Sequence, residues 1–164
     1  MGNNQFISIG AIGLLALVSL RFNTTVLETR NTEIENKVYL TAFSLADDLL
    51  EEIKQKAFDE ETVEWKAVKS ENLSSNELFG ISDPGENTVI DFDDIDDYHQ
   101  YTKNISLPHA ENYTVNSEVE YVTDTNPNVI SSTQTYYKKV TIRVSSPFMS
   151  YPVKLSFVFT LHSK

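Results

Sequence analysis

The chain has 164 residues, 40% hydrophobic and 11% aromatic, which gives room for one compact domain or for a small domain plus an extended element. A formal charge of −11 and a pI near 4.6 argue against nucleic acid as a partner, because binding phosphate backbones needs clustered Lys and Arg and no such cluster occurs. The absence of cysteine removes thiol catalysis, disulfide frameworks and Cys-based metal sites.

The first element runs from Phe6 to Leu20 without one charged residue. At 1.5 Å per residue it covers about 22 Å of a hydrocarbon core ~30 Å thick. Arg21 can snorkel its head to the interface, and Phe22, Val26 and Leu27 extend the apolar surface. Three readings compete. A signal peptide wants a basic start and a small-x-small exit, and neither is present. A buried core helix would be apolar on every face, which a small domain can rarely cover. A membrane anchor fits best, and because the net charge disfavours anionic lipid surfaces, the contact is expected to be hydrophobic. Gly10, Gly13 and Ala16 recur about every third residue, either as a groove that admits another helix or as the ordinary glycine content of membrane helices. No Lys or Arg precedes the run, while Arg21, Arg30 and Lys37 follow it, so charge bias alone would place the C-terminal side in the cytoplasm.

From Asn23 onward Ile34, Val38, Ala42, Leu45, Leu49, Ile53 and Ala57 form an amphipathic stripe. No proline occurs before Pro84 and no glycine between Gly13 and Gly80; only the Asn23-Thr24-Thr25 patch of weak formers interrupts helix propensity. The spacing predicts one helix from about Gln5 to Phe58. The chain thus divides into a transmembrane helix segment at 1–22, an amphipathic continuation at 23–60 and a β-rich globular domain at 61–164.

After Phe58 the period shifts towards two. Thr62 to Val68 reads as a short strand, Lys69 to Asn76 as loop, and Asp83-Pro84-Gly85 as a turn. Three clearer strands follow. Tyr113, Val115, Val119 and Tyr121 alternate with polar residues, as do Val140, Ile142 and Val144 against Lys139, Thr141 and Arg143. Val153, Leu155, Phe157, Phe159 and Leu161 form the third set. Each has one apolar face, as an antiparallel sheet covered on one side requires. Docking the helical stripe on these faces gives a two-layer α+β domain.

Catalytic constellations are absent: there is no phosphate-cradling loop, nucleophile elbow or His-Glu-x-x-His helix, and His99, His109 and His162 are scattered. A non-enzymatic role is expected. One segment stands out, Asp91-Phe92-Asp93-Asp94-Ile95-Asp96-Asp97-Tyr98-His99. Asp91, Asp93, Asp94, Asp96 and Asp97 offer the oxygens that calcium wants, but the glycine and later bidentate Glu of an EF-hand are missing. The competing reading is a short helical turn capped by Asp91 or Asp93, with Phe92, Ile95 and Tyr98 packed inward and the other carboxylates in water. It is favoured, and no cofactor is expected apart from that calcium alternative.

The apolar start, the long amphipathic helix and the small antiparallel sheet together resemble the type IV pilin and pseudopilin architecture. The run Phe92-Asp93-Asp94-Ile95-Asp96-Asp97-Tyr98-His99 is similar to a Phe-Asp-Asp-Val-Asp-Asp-Tyr-His stretch in minor pilins of the mannose-sensitive-haemagglutinin type. The resemblance implies a structural subunit of a bacterial surface filament. Its helix would assemble with sister subunits, and be held in the membrane beforehand, through Phe6, Ile9, Gly10, Ile12, Gly13, Leu14, Leu15, Leu17 and Val18. It also implies leader cleavage after Gly2, leaving Asn3 first. The family's basic leader is missing, and Ile7 stands where its early Glu would be, with no acidic residue before Glu28. That departure implies a subunit that enters the filament differently, sits at its tip or primes assembly. The rival is a membrane-tethered extracytoplasmic binding module that never polymerises.

Overall fold

A computed structural model describes residues 2–63, 69–80, 88–107 and 110–161. The chain divides into two compact units, 1–38 and 39–164. The architecture is α+β, with a long N-terminal helix, α1 (Gly2–Ile53), and a four-stranded antiparallel sheet.

In the first unit the weak formers at Asn23-Thr24-Thr25 do not break α1. Thr24 and Thr25 donate their hydroxyls to Arg21 O at 2.9 and 3.0 Å, Thr29 to Thr25 O and Thr32 to Glu28 O. Back-bonding to the preceding turn satisfies these hydroxyls within the helix. Ile34, counted in the apolar stripe, is exposed.

In the second unit, residues 39–53 of α1 pack on the sheet and bury Ala42, Ala46, Leu49, Leu50 and Ile53. The helix ends at Ile53 rather than continuing to Phe58. Gln55 and Lys56 N–H groups tighten onto Glu52 O and Ile53 O, and the chain is then drawn into a different pairing. Ala57 N donates to Asp93 O at 2.9 Å and Ile95 N to Ala57 O at 3.0 Å, a parallel bridge to the acidic run.

The strand expected from Thr62 is not formed at its start. Glu60–Val63 is one helical turn, α2. Thr62 donates both its N–H and its hydroxyl to Asp59 O, at 2.7 Å each, and the Asp59 N–H donates to Thr62 Oγ1 at 3.1 Å. This reciprocal cap outweighs a period-two pattern of a few residues. The remainder of that segment and the Asp83-Pro84-Gly85 turn lie outside the described residues.

The sheet is a meander of β1 (Thr102–Leu107), β2 (Ala110–Tyr121), β3 (Tyr137–Ser145) and β4 (Val153–Thr160), in that spatial order. Strands β2, β3 and β4 are the three alternating segments of the sequence; β1 is an additional edge strand. Register pairs Val115 with Val144, Val119 with Val140, and Val140 with Phe157. The covered face therefore carries Tyr113, Val115, Val119 and Tyr121 beside Val140, Ile142 and Val144, all buried. At the β4 edge cover thins out, and Phe157 is 40% exposed.

Candidate functional site

In the first unit Phe6, Ile9, Ile12, Leu14, Leu15, Leu17 and Val18 are helical and between 61% and 76% exposed. Helical spacing turns them to every side of the cylinder, so no single face is polar. At Gly10 and Gly13, apart from chain neighbours and the backbone of the surrounding helical turns, no atom lies within 4 Å of where a Cβ would stand. Gly2 and Asn3 form the first positions of the helix. The helix from Gln5 to Ile53 holds an 18-residue stretch apolar enough to cross a membrane, and none of that stretch is buried.

In the second unit the acidic run is not a helix with its carboxylates in water. A 3₁₀ turn covers Asp96–Tyr98, and Asp94, Asp96 and Asp97 are all buried. Their oxygens are used locally. Asp94 Oδ1 accepts the N–H groups of Asp96 and Asp97 at 2.6 and 3.2 Å, and Asp97 Oδ2 those of Asp93 and Asp94 at 3.1 and 3.3 Å. Asp91 Oδ2 accepts from the Thr88 N–H and hydroxyl at 3.0 and 2.9 Å, capping the preceding turn. Ile95 and Tyr98 pack inward as expected, and Phe92 stacks edge-on against Tyr98 at 5.2 Å. Tyr98 donates its hydroxyl to Glu52 Oε1 at 2.8 Å, and its carbonyl accepts from Ser117 Oγ at 2.6 Å. The run is thereby clamped between α1 and β2. His99 Nδ1 lies 2.8 Å from Val119 O, a structural contact to β2; His109 and His162 lie outside the described residues. Among the described residues no group of three or more His, Asp or Glu side chains is arranged to hold a metal ion.

Burying three carboxylates side by side has an electrostatic cost. Desolvation, reinforced by the charge of Asp96, pushes Asp94 up to about 8. Desolvation also raises Asp96 to about 7, against the opposing pull of Lys138.

Lys138 was not legible as a site residue, although it lies in phase with Val140, Ile142 and Val144 on the covered face. Its side chain is fully buried. Nζ donates to Phe58 O at 2.8 Å, to Asp59 Oδ2 at 2.7 Å and to Asp96 Oδ1, using all three hydrogens. The rings of Phe58, Phe79 and Tyr121 surround it, with centroids 4.7, 5.1 and 5.2 Å away. Asp59, also fully buried, accepts from the Ser74 N–H and hydroxyl, from Glu61 N–H and from the Tyr121 hydroxyl at 3.1 Å. Burial pushes the Tyr121 hydroxyl up, and the Asp59 charge pushes it further, so it stays a donor. Asp96 Oδ2 is the exception. It is buried and has no hydrogen-bond partner among the described residues. The phase of a charged residue within an apolar alternation is the one sequence signal that marks this cluster.

Compared with models of known protein families, with curated proteins and with solved structures, the chain matches none.

Proposed function

We propose that the chain is a minor pilin-like or pseudopilin-like structural subunit of a bacterial surface filament. It is held in the membrane by the N-terminal part of α1 and assembles through that segment with other pilin-like subunits, and the sheet domain is displayed on the extracytoplasmic side. The observation that carries the reading is the run from Phe6 to Leu20, helical and exposed on all sides. Covering one large apolar side chain is worth about 1.5–3 kcal/mol, so the nine exposed ones in this run strongly favour lipid or sister helices over water. A helix suits that setting because its backbone hydrogen bonds are satisfied within the segment. Cells bearing the protein are sheared and the filaments pelleted. Recovery of the chain in the filament fraction supports the proposal; recovery in membranes alone sinks it.

One observation favours a second reading, the tethered binding module. No acidic residue precedes Glu28, so the apolar segment carries no carboxylate with which to register against a neighbour. A module of this kind remains with the membranes in the same experiment.

A further inference from the structure

We propose that Lys138 and Asp96 join covalently, Nζ to Cγ, in an intramolecular amide that ties β3 to the acidic run, with Asp59 relaying the proton. The argument begins from placement. An amine and a carboxyl group 42 positions apart are held in hydrogen-bond contact, a second carboxylate lies 2.7 Å from the same nitrogen, and three aromatic rings keep the group dry. Lys138 and Asp59 are wholly shielded from solvent and Asp96 nearly so.

In such a place the charges of the pair lose their hydration, which lowers the cost of passing a proton between them. The upward shift of Asp96 agrees with that direction. A neutral primary amine is a nucleophile, a neutral carboxylic acid an electrophile, and fixed proximity replaces the encounter that makes condensation slow in solution. The two aspartates are not equivalent. Both oxygens of Asp59 are engaged by Ser74, Tyr121 and Lys138, which fixes it as the relay. Asp96 has Oδ1 on Lys138, which supplies its proton, and Oδ2 without a hydrogen-bond partner among the described residues, so no other donor competes for this carboxyl group. Asp94 is a positioning residue, holding the Asp96 N–H at 2.6 Å.

The step balances. Lys138 passes one proton to Asp96, giving amine and acid. The Nζ lone pair forms the N–C bond at Cγ, and the carbonyl π pair moves onto oxygen. Asp59 takes a proton from the tetrahedral nitrogen and delivers it to the hydroxyl. The C–O bond breaks with its electron pair on the departing oxygen, the carbonyl reforms and water leaves. Asp59 ends as it began. The sum is one ammonium and one carboxylate giving one amide and one water, without oxidant, reductant or cofactor.

The test uses the full-length chain, purified in detergent and then denatured for mass analysis. Lys138→Arg, which keeps the charge and cannot form this amide, serves as the reference whether or not it folds. After allowance for the substitution, the wild-type chain is expected to be lighter by one water, and its digest to yield a branched peptide joining the Lys138 and Asp96 fragments. A folded wild-type chain with the full mass and two separate fragments overturns the proposal. A branch mapped to Asp59 overturns the assignment of electrophile and relay.

Discussion

Lys138 and Asp59, 79 positions apart in the chain, meet at 2.7 Å with both side chains sealed from solvent. The contact joins the covered face of β3 to the cap of α2, and Asp96 brings the acidic run to the same nitrogen. Removing the cation leaves two buried carboxylates without their counter-charge, which typically costs about 3–5 kcal/mol. Lys138→Met is therefore expected to lower the unfolding free energy by that order, read as a lower denaturation midpoint. An unchanged midpoint would mean that water reaches the pocket.

Asp94 gives the fold a pH dependence opposite to that of a salt-bridged aspartate. Its folded value is raised to about 8 from an ordinary 3.8, so the native state holds this proton more tightly than the unfolded chain. Its stabilising contribution is complete below the unfolded value and is lost as pH rises through the folded one. Between about pH 5 and 8.5 the melting temperature should fall by a few degrees or more. Asp94→Asn keeps an oxygen for the Asp96 and Asp97 amides and carries no proton to lose. It is expected to flatten that slope. A melting temperature that rises across the interval in the wild type contradicts the assignment.

Gly80 has φ of 71°, and a Cβ there would collide with the carbonyl oxygen of His99. Its N–H also donates to Asp96 O at 3.0 Å, so the strand of contacts around the acidic run passes through it. Gly80→Ala should destabilise the domain by about 2 kcal/mol or more, from left-handed strain plus the clash. Thermal melting measures this directly; a neutral effect would show that the loop repositions freely.

The space around Gly10 and Gly13 separates folding from assembly. Because nothing beyond chain neighbours and the local helix backbone lies within 4 Å of either Cβ position, Gly10→Ile and Gly13→Ile are expected to leave the melting temperature of the sheet domain unchanged. If sister helices approach there, the same variants should reduce recovery in sheared filaments severalfold, since bulk on a small-residue groove holds helices apart. Wild-type recovery would place the helix contact on another face.

Calcium should have no effect on melting. Asp94 and Asp97 direct oxygens to backbone amides, and Asp96 directs one to Lys138. Binding to the folded state at 100 times the dissociation constant would add about 2.7 kcal/mol, so a shift of that size between calcium and chelator would restore the metal reading.

The two-layer fold was legible because the apolar faces of β2, β3 and β4 alternate with few exceptions, Ser117, Lys138 and Val158 among them, and the helical stripe at Ala42, Leu49 and Ile53 complements them. Strand β1 escaped notice for a physical reason. It is an edge strand with two apolar residues on opposite sides of an irregularity in register between Ile105 and Leu107. Much of its hold is a polar ladder, Thr102 to Asn116 at 2.8 Å and Thr114 to Asn104 at 2.9 Å, which a hydrophobic period cannot register. The Asp run was visible as composition, but its burial was not. Whether an aspartate faces water or the interior depends on a cation 42 positions away, and no local spacing carries that information. Helix α1 stopped short of Phe58 for a similar reason, since Ala57 is claimed by the backbone of the same run.

The threonines of α1 have a consequence for traffic between environments. With the hydroxyls of Thr24, Thr25, Thr29 and Thr32 already given to carbonyls of their own helix, these four groups need no donor or acceptor from outside it. Those four bonds close within single turns of the helix, so a change in what surrounds it leaves them intact.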